Sequence, residues 1–136
     1  MAQQLSPGMR GEITRRVTAD LTADRFGNPG VHVLATPMLV SLCEEAALAC
    51  LAPHLDPGEG SVGTRVELSH TAATPVGMTV RVEAILTQVD GRRLTFEVRA
   101  RDNREEVGAG RHERFLIDRA RFLARIAEKG RGASNP

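Results

Sequence analysis

The feature that most constrains this chain is a nearly continuous apolar segment from Val33 to Leu51. A helix that is apolar around most of its circumference is normally buried on most sides, so the rest of the chain has to enclose it. We predict that the Thr36 hydroxyl caps this helix and that Pro37 takes its first position, where a missing N–H costs nothing. Two adjacent carboxylates, those of Glu44 and Glu45, lie in its middle and need a physical explanation.

The two glutamates cannot serve the same purpose, because successive helical residues point about 100° apart. Charged side chains are rarely buried unless they are paired, so one interpretation places Glu44 and Glu45 along a hydrated edge. In the other, one of them faces a pocket where burial and neighbouring groups set its pKa. The helix by itself leaves both interpretations open.

Length and composition limit the class of protein. The 136 residues fit one domain, 1–136. A net charge of +1, the absence of Trp and Tyr, and the lack of RNA-binding or zinc-finger motifs argue against a nucleic-acid partner. We find no apolar run of about 18 residues and no signal-peptide core, so we expect a cytoplasmic protein without a membrane partner. Cys43 and Cys50 lie too far apart on the helix for a disulfide and are interpreted as small buried hydrophobes.

Period-two patterns after the helix predict four antiparallel strands joined by short turns, and a further strand over 11–18 precedes it. In the strand over 61–71 the alternation assigns one set of residues to the core face, namely Val62, Thr64, Val66, Leu68 and His70. Asp90-Gly91 is typical of a tight hairpin. The last strand, over 105–117, is predicted to place Val107, Ala109, Phe115 and Ile117 on one face, although Gly108 and Gly110 weaken it.

The elements combine into an α+β fold in which an antiparallel sheet of about five strands wraps around one long central helix. A short amphipathic helix is predicted after Asp118, which would cap it, and Gly130 would end it. Residues 1–10 and 130–136 are predicted to be loose termini. The edge strands need cover, and a homodimer that pairs sheets edge to edge would supply it.

Four sequence blocks carry a resemblance to a known family. They are A-T-P-M-L-V-S-L-C-E-E-A-A, S-V-G-T-R-V-E-L-S-H-T-A-A-T-P-V-G-M, D-G-R-R-L-T-F-E-V-R-A and G-R-H-E-R-F. Together they resemble the fluoroacetyl-CoA thioesterase family of hotdog-fold acyl-CoA thioesterases, over about residues 30–118. The resemblance implies the hotdog fold, a thioester hydrolase acting on a small acyl-CoA, and sites at subunit junctions. Coenzyme A is then part of the substrate, and no cofactor or metal is expected.

The resemblance also implies the site residues. It assigns catalytic roles to Thr36, Glu44 and His70, and places the Gly63 backbone near the thioester oxygen. A carboxylate such as that of Glu44 can act as general base or as nucleophile, and the sequence leaves both roles open. By this assignment Glu45 is the glutamate on the hydrated edge.

Two further residues are candidates for substrate binding. The family's substrate choice is associated with an aromatic-lined lid, and the candidate lid, Thr18 to Gly30, offers only Phe26. The resemblance therefore implies thioester hydrolysis without specifying the acyl group of the substrate. Arg114, which follows His112 in the last strand, could bind a substrate carboxylate or a CoA phosphate, but an exposed charged strand would also explain both residues.

Two other functions compete with thioester hydrolysis. One is a hotdog hydratase or dehydratase acting on acyl thioesters, but the chain lacks the Asp-then-His pair on one loop that we associate with those enzymes. The other is a non-catalytic acyl-CoA-binding protein. The joint presence of Thr36, Glu44 and His70 favours the hydrolase.

Overall fold

The computed structural model describes residues 5–133. It has five antiparallel strands in the order β1-β3-β4-β5-β2, with one long helix packed against the sheet and a second helix at the end of the chain. The elements are β1 (Arg10–Arg16), α1 (Thr36–Leu51), β2 (Glu59–His70), β3 (Thr79–Asp90), β4 (Arg93–Arg101), β5 (Glu106–Asp118) and α2 (Arg119–Gly130). The α+β fold predicted from the sequence is confirmed, and β1 and β2 form the two edges of the sheet.

Helix α1 is enclosed as its composition requires. Its buried residues, which face the sheet, are Leu39, Leu42, Cys43, Ala46, Ala47, Cys50 and Leu51. Gly11 of β1 lies so close to the helix that a Cβ atom there would collide with the backbone of Ala46 and Cys50. Both cysteines are free and buried, as predicted. Burial, and then the charge of Glu44, raise the pKa of Cys43 to about 12.

The apolar character of α1 extends into the turn that follows it. Thr36–His54 is 19 residues long with a mean hydropathy of 1.2, enough by length and composition to cross a membrane. The expectation that no run reaches this length was therefore wrong. Packing against β1 and β3 accounts for the apolar composition without a membrane.

The start of α1 differs from the prediction. Ala35 occupies the N-cap position and no side chain caps the helix. Thr36 is already helical, and its hydroxyl bonds to the His70 ring instead of to the first-turn N–H groups. The prediction that Thr36 caps the helix is wrong, because the hydroxyl has a tertiary partner.

The alternation of β2 is broken by a register shift. Gly63 pairs with Arg114 and Arg65 pairs with Glu113, which leaves Thr64 outside the pairing. An extra residue in one strand reverses which side chains face inward. The assignment of Val62 and Thr64 to the core face is therefore wrong, and Gly63 faces inward in their place. Beyond the bulge, Val66, Leu68 and His70 pair with inward residues of β5 and so face inward, as predicted.

The predicted faces of β5 are reversed over most of the strand. The inward residues Gly108, Gly110, His112 and Arg114 pair with buried residues of β4, and Leu116, on the same face, is itself buried. Phe115 lies on the outer face and is 40% exposed. Val107 is buried because it is the extra residue at a second register shift. The prediction failed because glycine, His and Arg on the inner face look like a solvent-facing set.

The chain ends only partly match the predicted loose termini. Leu5 is buried, and the Gly8 N–H donates to Leu86 O at 2.8 Å, so residues 5–10 pack against the sheet. Residues 1–4 and 134–136 lie outside the described range. At the other end, Asp118 caps α2 by accepting from the Arg121 N–H at 3.1 Å, as predicted.

Candidate active site

The Glu44 carboxylate meets a buried guanidinium. Its Oε2 lies 3.4 Å from Arg114 Nη1, and the Glu44 side chain stays 40% exposed while that of Arg114 is 5% exposed. Two more bonds fix the guanidinium: Nε donates to Ser61 Oγ at 2.8 Å and Nη2 to Ser61 O at 3.0 Å. Charge-assisted bonds from several donors of one planar group define its direction. Arg114 therefore anchors one oxygen of Glu44 and leaves the other without a bond to the guanidinium.

His112 completes the support of Arg114. Its Nδ1 lies 2.9 Å from Arg65 O, and because a carbonyl only accepts, Nδ1 carries the proton and donates. Nε2 is then the acceptor for Arg114 Nη1 at 3.1 Å. Burial is the main cause that lowers the pKa of His112; the bond to Arg65 and the charges of Glu44 and Glu113 oppose it, whereas Arg114 adds to it. The imidazole is consequently held neutral in one tautomer.

Gly63 makes room for this cluster. A Cβ atom at Gly63 would collide with Glu44 Oε2 and would come within 3.2 Å of His112 Cε1 and 3.3 Å of Arg114 Nη1. The bulge in β2 is what turns position 63 toward the carboxylate. The backbone of Gly63 is therefore the surface against which the Glu44 carboxylate lies.

The neighbouring Glu45 points elsewhere, as the helix geometry requires. Its Oε1 accepts from Arg15 Nη2 at 2.7 Å, and both side chains are about two-fifths exposed. This is a surface ion pair with β1 and has no connection to Gly63 or Arg114. Glu45 thus lies on the hydrated edge, whereas Glu44 contacts a buried guanidinium.

Thr36 and His70 form a second cluster. Thr36 Oγ1 lies 2.8 Å from His70 Nδ1. His70 Nε2 is buried and has no hydrogen-bond partner among residues 5–133. Burial lowers the pKa of His70, and the nearby Ala72 backbone opposes that shift. A buried ring nitrogen without a partner is the kind of atom that a ligand or a second subunit can satisfy.

One subunit does not unite the two clusters. Thr36 and Glu44 are eight residues apart on α1, which corresponds to about 12 Å of helix rise. Gly63 and His70 are seven residues apart on β2, about 23 Å for a regular strand. The structure brings Thr36 together with His70, and Glu44 together with Gly63. Within one subunit the two pairs are therefore separated along both α1 and β2.

The two predicted substrate contacts have different surroundings. Phe26 ends a short 3₁₀ turn, Ala23–Phe26, is 49% exposed and belongs to neither cluster. Arg114 contacts Glu44 directly, so the interpretation of His112 and Arg114 as an exposed charged strand is wrong. The supporting role of His112 was missed, although its even-numbered alternation with Gly108, Gly110 and Arg114 could have revealed it. Within residues 5–133, no three His, Cys, Asp or Glu side chains form a group that could hold a metal ion.

Comparison with known proteins gives a consistent result. The family model for FlK, fluoroacetyl-CoA-specific thioesterase, matches residues 17–120. The fluoroacetyl-CoA thioesterase of Streptantibioticus cattleyicolor is 48% identical over 98 residues, which are 72% of this chain and 70% of that protein.

Solved structures are similar as well. A crystal structure of the fluoroacetyl-CoA thioesterase FlK superposes with a TM-score of 0.85 at 40% identity, covering 92% of this chain and 97% of that one. A thioesterase superfamily member from Thermus thermophilus gives a TM-score of 0.87 at 28% identity, covering 96% and 99%. A hot-dog-like protein from Thermanaerovibrio acidaminovorans, at 22% identity, shares the fold with a TM-score of 0.87 and covers 95% and 96%. The chain belongs to the fluoroacetyl-CoA-specific thioesterase family and has the hotdog fold.

Proposed function

We propose that this protein hydrolyses a small acyl-CoA thioester to a carboxylate and free CoA, in the cytoplasm and as a homodimer. The observation that carries the proposal is the Glu44 carboxylate, fixed by Arg114 against the bare backbone of Gly63. The similarity to a fluoroacetyl-CoA thioesterase at 48% identity supports the same reaction class.

The arrangement of Glu44 suits attack on a thioester. Oε2 is held by Arg114, and Oε1 accepts no hydrogen bond from any residue between 5 and 133. A carboxylate with one anchored and one open oxygen can take a proton from water or attack the thioester carbonyl itself. As general base, Glu44 takes a proton from the water that attacks the carbonyl, and this proton passes to the CoA sulfur when the C–S bond breaks. As nucleophile, Glu44 forms a mixed anhydride as the C–S bond breaks, and water then hydrolyses the anhydride, which releases the carboxylate and supplies the proton to the CoA thiolate.

A second subunit would supply Thr36 and His70. The outer edge of β2 is unpaired in one chain, and exposed edges invite pairing with another strand. Antiparallel pairing of two β2 strands about a two-fold axis near Glu67 would place His70 of the partner subunit opposite the bulge at Gly63. The Thr36–His70 pair would then meet Glu44 across the junction, with Thr36 at the positive end of its helix, where a developing oxyanion is stabilised.

The residues of the candidate lid bear on the identity of the acyl group. Phe26 is the only aromatic residue between Thr18 and Gly30, and it is about half exposed. We therefore propose a small acyl group without assigning selectivity for fluorine.

The test is a thiol-release assay with acetyl-, fluoroacetyl-, medium-chain and aromatic acyl-CoAs. We expect turnover of one or more of the small acyl-CoAs, with the preferred acyl group given by kcat/KM. Binding of the whole panel without release of thiol would instead favour an acyl-CoA-binding protein and would overturn the proposal.

A further inference from the structure

Helix α2 stands over the outer face of the sheet and encloses a groove of about 720 Å³. We call this cavity the α2 groove. Val62 of β2 and Phe115 of β5 are register partners and form its floor, and Phe122 of α2 forms a wall. Because the bulge in β2 turns Gly63 inward, the groove and the Glu44 site lie on opposite faces of the same strand.

The cations of the α2 groove are not neutralised. Arg92, Arg121 and Arg125 line it, and no carboxylate of residues 5–133 lies within ion-pair distance of them. Two acidic residues also line the groove, but both are engaged. Asp118 caps α2, and Glu128 pairs with Arg131 at 3.0 Å.

A second cavity lies beside the α2 groove and is lined by residues that neighbour Glu44 and Arg114. It has a volume of about 520 Å³ and includes Leu48, Ser61, Ile117 and Arg119 in its lining. Leu48 lies one helical turn after Glu44, and Ser61 holds the guanidinium that contacts Glu44. Ile117 lines both cavities, so they are neighbours at the base of α2.

We infer that the α2 groove binds the 3′-phosphorylated ADP end of the CoA thioester, with the pantetheine arm running through the second cavity to Glu44. The inference rests on the proposed function. Arginine forks bind phosphate oxygens in bidentate fashion, and an aromatic wall beside cations suits a purine ring, which stacks on aromatic side chains. The three phosphoryl groups of CoA match a groove with three unpaired guanidinium groups and apolar walls.

The test removes charge from the groove and compares two substrates. In the double variant Arg121→Gln/Arg125→Gln, KM for the acyl-CoA should rise about tenfold, the loss expected for exposed charge-assisted phosphate contacts, while kcat stays near wild type. Hydrolysis of the corresponding acyl-pantetheine, which lacks the nucleotide, should be unchanged. The matched control is Arg99→Gln/Arg101→Gln, which removes two exposed charges from β4 and should leave both substrates unaffected.

Direct binding separates this inference from the proposed function. Calorimetry with adenosine 3′,5′-bisphosphate should show binding to the wild type and about tenfold weaker binding to the groove variant, whether or not thioesters are hydrolysed. Wild-type protein that binds this nucleotide but hydrolyses no thioester would refute the proposed function alone. An unchanged KM for acyl-CoA, or an equal loss with acyl-CoA and acyl-pantetheine, would refute the nucleotide site.

Discussion

At the scale of single residues, two adjacent glutamates on one helix have different environments. Glu45 makes an exposed ion pair with Arg15, and such pairs contribute about 0–1 kcal/mol to stability. Glu44 contacts a buried guanidinium whose other donors and neighbours are fixed by Ser61 and His112. Sequence position alone does not distinguish the two side chains, whereas their surroundings do.

Removing the charge of each glutamate tests this difference. Glu44→Gln should lower kcat by about 10²–10⁴-fold, the loss typical of an essential general base. The chain should remain folded because Arg114 keeps its bonds to Ser61 and His112. Glu45→Gln is the matched control, and its kcat and circular dichroism spectrum should resemble those of the wild type. Equal losses in the two variants would contradict the assignment.

The neutral imidazole of His112 predicts a pH dependence of stability. Burial lowers its folded-state pKa below the unfolded value of about 6.5. The unfolded chain then binds the proton more tightly, so the stabilisation is complete above about pH 6.5 and is lost as the pH falls toward the folded pKa. His70 has a pKa shift in the same direction.

We therefore expect the melting temperature of the wild type to fall when the pH is lowered from about 7.5 to 5.5. His112→Asn cannot titrate and should show a smaller fall, although its melting temperature at pH 7.5 will be lower because a buried ring is lost. His32→Asn, at an exposed position, is the matched control. A pH dependence as steep in His112→Asn as in the wild type would show that this imidazole is not the group that titrates.

At the scale of elements, the bulge in β2 determines the geometry of the site. It reverses the strand's alternation at Thr64, so that Gly63 faces α1 and Val62 faces α2. One extra residue thereby makes an inner surface for the carboxylate and an outer floor for the α2 groove. Bulges are frequent next to active sites because they redirect side chains in this way.

Adding one methyl group at Gly63 should disturb the site more than the fold. In Gly63→Ala the Cβ displaces Glu44 Oε2, the end of a flexible side chain, so kcat should fall at least about tenfold with little change in melting temperature. Gly11→Ala instead meets the backbone of α1 and should destabilise the fold by about 1–3 kcal/mol. Gly130→Ala meets open space and is the control. Wild-type kcat in Gly63→Ala would exclude close packing of the carboxylate on this backbone.

At the scale of the whole molecule, the Thr36–His70 pair is separated from Glu44 within one subunit, and the proposed homodimer would bring the two together. Thr36 and Glu44 lie on α1, and His70 lies on β2, which has an unpaired edge. A symmetric dimer would have two such sites, each built from both subunits.

Mixing two inactive variants tests the shared site. Glu44→Gln and His70→Ala should each be inactive alone. After they are mixed, unfolded and refolded together, half of the dimers should be mixed and each should hold one intact site, which restores about a quarter of wild-type activity. Sedimentation should give a dimer for each variant. If the mixture stays inactive although mixed dimers form, the catalytic groups do not come from different subunits.

The sequence by itself determined the elements whose periodicity is regular. Helix α1, the inward residues Val80, Val82, Ala84 and Leu86 of β3 and the hairpin at Asp90-Gly91 all follow from local patterns. The candidate residues Thr36, Glu44, Gly63 and His70 came from the family resemblance, because residue types and their spacing can be matched in the sequence alone.

Only the tertiary structure decided which faces these residues occupy. A bulge has no local sequence signal here, so the reversal at Thr64 and the inward position of Gly63 depend on pairing with β5. The buried positions of His112 and Arg114 depend on partners that are distant in sequence, 70 residues away in the case of Glu44. Burial of a charged group is stable only when such partners meet it, and that condition is set by packing, which local periodicity does not encode.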